Sequence, residues 1–258
     1  MKNFRSILLS YAKLCRAKTY CPVCQERDRG FAPLPDFYRI NAEKHGYSHF
    51  GKGEMTALET YSCSNCGASD RERLYAWWLS QLCTGTSTHQ YHKTIHFAPE
   101  CALSNFIRHQ RLFSEYQTAD YTMEGVDHKA DLMDLPFATE TYDFFICSHV
   151  LEHVANDRKA IAELYRVTKQ GGKGILMAPI ITDLPQTIEN PNITDEDERW
   201  RLFGQNDHVR LYSRNEYIER ITEAGFNLAQ FDISYFGSRL FKKLGLKPSS
   251  ILYIVSRP

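Results

Sequence analysis

Between Ser148 and His153 the sequence reads Ser148-His-Val-Leu-Glu-His153, which sets His149, Glu152 and His153 at i, i+3 and i+4. A helical turn would put all three on one face. Imidazoles and a carboxylate at that spacing take up protons near neutral pH, or hold a divalent ion. A third imidazole, His208, follows Asp207 in an irregular stretch further on. As a general base we expect His208 first, with Asp207 beside it, and His149, His153 and Glu152 as the other candidates. The alternative is that His149, Glu152, His153 and His208 share a divalent ion that lowers the pKa of an acceptor hydroxyl, an imidazole-rich set favouring a softer metal than magnesium. A separate chemistry belongs to Cys21-Pro-Val-Cys24 and Cys63-Ser-Asn-Cys66. Two Cys-x-x-Cys pairs supply four soft ligands for one tetrahedral ion, so the spacing predicts structural zinc with no open coordination position.

The elements that position these groups follow from the apolar pattern. Phe144-Phe-Ile-Cys147 is a continuous apolar run, suited to a strand buried on both faces of a parallel sheet. In an open α/β sheet ligands lie beyond the carboxyl ends of the strands, which is where Ser148, His149, Glu152 and His153 fall. Asp157 is expected to cap the next helix, whose stripe of Ala160, Ile161, Leu164 and Val167 should stop at Gly171-Gly172 before a strand from Gly174 to Ile180. Upstream we expect strands at Lys93–Ala98, Glu115–Asp120 and Val126–Asp131, with a helix at Cys101–Gln110 after the first. Downstream we expect Thr194 to cap a helix at Asp195–Leu202, a second helix ending at Gly225, and strands at Phe231–Phe236 and Ile251–Ser256. The basic residues from Arg239 to Lys247 read as the loop between those strands.

The string Asp131-Leu-Met-Asp-Leu-Pro-Phe137, Tyr142-Asp-Phe-Phe-Ile-Cys-Ser-His-Val-Leu-Glu-His153 and Arg166-Val-Thr-Lys-Gln-Gly-Gly172 resembles the second half of the class I S-adenosylmethionine-dependent methyltransferases. The resemblance covers roughly residues 91 to 258. It implies an α/β, Rossmann-like sheet, mostly parallel with one antiparallel edge strand, and S-adenosylmethionine as cofactor. It also implies that Phe97, Ala98, Pro99, Glu100, Asp120, Tyr121, Asp131, Leu132, Ser148 and His149 surround that cofactor. Asp120 would accept from the ribose hydroxyls, and Asp131 with Leu132 would meet the adenine. The family's glycine-rich first loop is missing: the chain has His96-Phe-Ala-Pro-Glu100, similar to the replacement in a subset of these enzymes. A helix start after Pro99 still offers backbone N–H groups to the cofactor carboxylate, and Glu100 would face its ammonium. Phe203-Gly-Gln-Asn-Asp-His-Val-Arg-Leu-Tyr212 resembles a segment of methyltransferases from bacterial glycan and secondary-metabolite gene clusters. The His149, Glu152, His153 set is similar to the Glu-x-x-Glu-His cluster of metal-dependent O-methyltransferases, with His149 in place of the first Glu.

Three parts follow: an amphipathic basic helix over 1–18, a zinc-ribbon-like module with a connecting helix over 19–85, and the methyltransferase domain over 86–258. The connecting helix is Asp70–Leu82, and Arg71 and Arg73 on it are candidates to meet an acidic group on a substrate. The insert between the cysteine pairs reads as irregular turns or short strands. Lys plus Arg and Asp plus Glu both number 31, so no global basic field attracts nucleic acid, although the module and basic helix would suit RNA. Of eight cysteines, Cys15, Cys83, Cys101 and Cys147 read as buried small hydrophobes in a cytoplasmic protein. The helix over 2–18 suggests docking on its own protein or peripheral contact with an anionic membrane. The function expected is O-methylation of a sugar or glycan hydroxyl. A small natural product, RNA, or no catalysis at all in a methyltransferase-like scaffold are the alternatives.

Overall fold

The computed structural model describes residues 17–82 and 92–258. The expected N-terminal helix falls almost wholly outside the described residues, as does the expected boundary at Thr84–Thr88. In the N-terminal part, β1 (Phe31–Ala32) pairs antiparallel with β2 (Ser62–Cys63). Between them lies a helix the sequence reading missed, α1 (Asp36–His45). Pro35 precedes it, Gly46 ends it at φ 71°, and Arg39 bridges Asp36 and Glu43 along one side. Of its residues only Ala42 is buried while Phe37 and Ile40 are exposed, so no apolar stripe announced a helix.

Helix α2 (Asp70–Leu82) fastens this part to the rest. Ser69 and Glu72 form a capping box at its start, the Glu72 carboxylate accepting from Ser69 N and Oγ. Leu74, Tyr75, Ala76, Trp78 and Leu79 enter the main core. Arg73 does not face a substrate. Its buried guanidinium donates to the carbonyls of Thr60, Tyr61, Ala68 and Leu244, satisfying four acceptors from two parts of the chain. Glu54 adds a second clamp, accepting from Tyr253 Oη at 3.0 Å and pairing with Arg214 at 2.7 Å.

The main sheet starts with β3 (Lys93–Phe97), α3 (Cys101–Gln110), β4 (Glu115–Asp120) and β5 (His128–Lys129), followed by β6 (Tyr142–Ser148), α4 (Asp157–Val167) and β7 (Thr168–Met177). A small hairpin follows, β8 (Ile188–Glu189) and β9 (Arg210–Leu211), with α5 (Glu196–Phe203) between its strands. The chain closes with α6 (Arg214–Glu223), β10 (Asn227–Phe231), α7 (Ile233–Phe236), α8 (Ser238–Leu244) and β11 (Leu252–Ser256). Strand order is β10-β11-β7-β6-β3-β4-β5. All run parallel except β11, which lies antiparallel between β7 and β10, one place in from the edge.

Several local expectations change. Asn156, not Asp157, caps α4, accepting from Lys159 N at 3.0 Å. The helix ends at Val167, and Gly171-Gly172 lies inside β7 rather than stopping the helix. Gly174 is required by packing: a Cβ there would stand 2.3 Å from the Phe145 ring on the neighbouring strand. Asp195 rather than Thr194 caps α5, and residues 232–236 turn into a helix because the Asp232 carboxylate accepts from Ser234 N. The basic segment forms α8 instead of a loop. Cys147 is buried as expected, whereas Cys101 is exposed at the start of α3. No helix among the described residues is long and apolar enough to cross a membrane.

Candidate functional site

Cys21, Cys24, Cys63 and Cys66 converge, with Sγ atoms of Cys21 and Cys66 3.7 Å apart and those of Cys24 and Cys63 3.8 Å apart. Tetrahedral bonds of about 2.3 Å to zinc require sulfur separations of about 3.8 Å, so the residues fit such an ion. Their surroundings are small: Cys21, Cys63 and Ala68 form a buried cluster separate from the main core. An ion bound there would contribute folding free energy to a segment with so little apolar burial.

Beyond the carboxyl ends of β3, β4 and β6 lies a cavity of 560 Å³. Phe97, Ala98, Asp120, Tyr121, Asp131, Leu132 and His149 line it. Ala98, at φ 47°, takes the left-handed turn that a glycine would otherwise supply, and its N–H donates to the Ala119 carbonyl. Asp120 Oδ1 accepts from Thr122 N and Met123 N, and Asp131 Oδ1 from Met133 N. Each carboxylate is thus braced through one oxygen, with the other available to a ligand. This acid at the end of β4, with an apolar wall from Leu132, fits a nucleoside with a free ribose. Pro99, Glu100 and Ser148 do not line the cavity. Glu100 turns back to His96 Nε2 at 3.0 Å and Arg71 Nε at 3.5 Å. Burial opposes its ionisation, yet the His96 hydrogen bond and the neighbouring charges hold its carboxyl down at about 2. It is spent inside the protein and does not face the cavity. Ser148 is buried against Tyr75 Oη at 3.1 Å.

A second cavity, of 310 Å³, lies across the His149 to His153 turn. Its far wall comes from the insert between the cysteine pairs, including Tyr38, Tyr47, His49, Phe50 and Tyr61, with Arg71 from α2. Sequence reasoning singled out Arg71 but missed the wall residues of the insert. The one available signal was the density of aromatics and glycines from Tyr47 to Gly53. His149 and His153 line both cavities; Glu152 and His208 line only the second.

The turn itself is held from outside. His149 N donates to the Met177 carbonyl at 2.9 Å, and Val209 N donates to the Glu152 carbonyl at 2.9 Å. Arg210, also missed from sequence, gathers the carbonyls of Leu151, Val154 and Ala155 on its buried guanidinium. His149 sits at φ 57°, a strained position for a non-glycine residue. Its Nδ1 lies 3.4 Å from Glu152 Oε1, and its Nε2 makes no hydrogen bond among the described residues.

His208, the first choice as base, is nearly fully buried, and burial pushes its pKa down to about 4. Its Nδ1 contacts the Phe203 carbonyl at 3.3 Å. Asp207 pairs with His153 Nδ1 at 3.3 Å instead of with His208. The His153 and His208 rings meet edge to face, 4.7 Å between centroids. Burial lowers the His153 pKa, but the hydrogen bond and charge of Asp207 together with Glu152 raise it overall.

Residues 107–176 match the family model described as a methyltransferase domain. An uncharacterized protein of Methanocaldococcus jannaschii is 51% identical over 93 residues, 36% of this chain and 42% of that protein. The rice (Oryza sativa subsp. japonica) 2-methyl-6-phytyl-1,4-hydroquinone methyltransferase 1 is 31% identical over 98 residues, 38% of this chain and 26% of that enzyme. The matches therefore span less than half the length of these relatives. Among solved structures, an S-adenosylmethionine dependent methyltransferase from Mesorhizobium loti aligns over 70% of this chain and 97% of its own, with a TM-score of 0.44 and 12% identity. The family match lies at the centre of the sheet, beside the acid-lined cleft beyond its parallel strands, and places residues 107–176 in the methyltransferase domain family.

Proposed function

We propose that this protein is an S-adenosylmethionine-dependent O-methyltransferase acting on a hydroxyl of a small molecule or glycan intermediate held in the smaller cavity, with zinc as a structural ion at the four cysteines. The observation that carries the reading is the shared wall: His149 and His153 line both cavities, so a donor in one and an acceptor in the other meet there. Bound in the larger cavity, S-adenosylmethionine supplies a methyl group on a sulfonium that leaves as a neutral thioether. What the protein must do is align the acceptor oxygen and take its proton. His149 suits proton removal better than His208. Its Nδ1 faces the Glu152 carboxylate at 3.4 Å, which orients the ring, and its Nε2 is unengaged among the described residues. Asp120 would hold the ribose hydroxyls and Asp131 the adenine edge. His149→Asn is expected to lower kcat without a matching loss of cofactor affinity, measured by transfer of labelled methyl to the acceptor; equal loss of both would remove His149 from the proton step.

A sugar hydroxyl is one acceptor. A phenolic ring is the other, favoured by the aromatic wall of Tyr38, Tyr47, Phe50 and Tyr61 and by the rice relative, whose name gives a hydroquinone as its substrate. The test begins with the cofactor. Calorimetric titration with S-adenosylmethionine and S-adenosylhomocysteine should show one site per chain. Asp120→Ala should weaken it by about tenfold or more, since a hydrogen bond to a charged group contributes about 1.5–3 kcal/mol. Absence of any binding by folded protein would replace the enzyme by a scaffold.

A further inference from the structure

We propose that Glu152, His153 and His208 form a second metal centre, a three-ligand site for a divalent transition ion that opens on the smaller cavity. Each residue offers one ligand atom, and the three atoms lie within 4.8 Å of one another. Bonds of about 2.0–2.2 Å place such ligands about 3–4 Å apart, so closure needs side-chain shifts of less than about an ångström.

The hydrogen-bond pattern points to a cation independently of that spacing. The Glu152 side chain is 1% exposed, and neither carboxylate oxygen completes a hydrogen bond among the described residues. His149 Nδ1 at 3.4 Å and His153 Nε2 at 3.9 Å approach Oε1 without doing so. A buried carboxylate left in that state is costly unless a cation completes it. The two other ligands have their tautomers set from behind. The Phe203 carbonyl can only accept, so the proton of a neutral His208 sits on Nδ1 and the lone pair on Nε2. The Asp207 carboxylate draws the His153 proton to Nδ1 in the same way, leaving the Nε2 lone pair toward Glu152. A carbonyl or carboxylate behind each imidazole is the outer-shell arrangement that orients histidine ligands on metals. Two imidazole lone pairs and a buried carboxylate with no completed hydrogen bond, converging on one point, make a cation site.

Two imidazoles with one carboxylate favour manganese, iron or zinc over magnesium or calcium, which prefer all-oxygen sets. Three protein ligands leave coordination positions free, and all three residues line the smaller cavity. There the ion would hold the acceptor oxygen and lower its pKa, with His149 left to receive the proton. That role, though not the site, rests on the methyltransferase reading.

The test is Mn2+ titration of protein brought to one zinc per chain, which the four cysteines retain while the second site is empty, followed by electron paramagnetic resonance of the free ion. One Mn2+ per chain is expected. Glu152→Gln and His208→Asn should abolish the binding, and Asp207→Asn should weaken it by about 10–100-fold through the orientation of His153. S-Adenosylmethionine titration and circular dichroism of each variant check that the fold survives. No Mn2+ bound at millimolar concentration, or binding that Glu152→Gln and His208→Asn leave unchanged, overturns the site. Protein that binds the cofactor but not Mn2+ loses only the metal centre; protein that binds Mn2+ but not the cofactor keeps the centre and loses the methyltransferase reading.

Discussion

Stripping the metal from the four-cysteine site, or replacing one ligand by Cys63→Ser, should abolish methyl transfer while leaving S-adenosylmethionine binding largely intact. The asymmetry comes from where each cavity finds its walls. Among the described residues the larger cavity takes no lining from the N-terminal part, whereas the smaller one takes Tyr38, Tyr47, His49, Phe50 and Tyr61 from between the two cysteine pairs. The cysteine cluster that anchors the insert has only Cys21, Cys63 and Ala68 as its buried core, so a bound metal would supply much of its folding free energy, on the order of 10 kcal/mol in small zinc modules. Once the wall loosens, the acceptor is no longer aligned, and a displacement of about an ångström already costs about a hundredfold in rate. Helix α2 should stay in place, because Leu74, Tyr75 and Leu79 are buried in the main core. Parallel measurement of turnover, zinc content and cofactor affinity decides the matter. Turnover that survives complete zinc loss would detach the module from catalysis. Cofactor affinity falling in step with zinc would mean that the module supports the whole fold.

How much of this was legible beforehand depended on whether the physical cause was local. The strands Lys93–Phe97 and Glu115–Asp120 and the helix Cys101–Gln110 carry their own apolar pattern and end signals, and they appear where the pattern put them. The cysteine pairs were legible because chelation imposes a spacing that sequence preserves. Helix α1 was not, since its exposed Phe37 and Ile40 break the amphipathic stripe and its packing partner, Trp200 of α5, meets Phe37 and His45 only in the folded chain. Glu100 was misjudged because Arg71 meets it only when α2 packs beside α3, and because His96, four residues earlier, turns its Nε2 to it at the end of β3. His208 and Asp207 show the same limit. Adjacency in sequence suggested a dyad, but in an irregular segment neighbouring side chains diverge, and Asp207 turns to His153 instead. The tyrosines of the acceptor wall carried no pattern that separates a substrate wall from a hydrophobic surface.

The second large effect concerns Asp157, which sequence assigned to a helix cap. Its buried carboxylate accepts from Tyr212 Oη at 2.5 Å and from Arg220 at 2.6 Å, and Arg210 lies 3.8 Å away. Glu189 completes the group, pairing with Arg220 at 2.8 Å and Arg210 at 3.1 Å. Two buried guanidinium groups are therefore balanced by two carboxylates of unequal burial: the Asp157 side chain is 5% exposed and that of Glu189 38%. Asp157→Ala leaves two buried cations facing one half-exposed acid and removes the nearer of the two acceptors of Tyr212 Oη, leaving the Leu151 carbonyl at 3.5 Å. Breaking a buried pair in this way costs about 3–5 kcal/mol, which should show as a large fall in the urea midpoint. Glu189→Gln should cost about 1 kcal/mol or less, because solvent already screens that carboxylate and the amide still accepts a hydrogen bond. Function should follow stability here, since Arg210 holds the carbonyls of Leu151, Val154 and Ala155 and so fixes the turn that presents Glu152 and His153. Similar unfolding midpoints for the two variants would mean that Arg210 is kept in place by its backbone carbonyls and Arg220 by Glu189, and that Asp157 contributes no more than an ordinary surface charge.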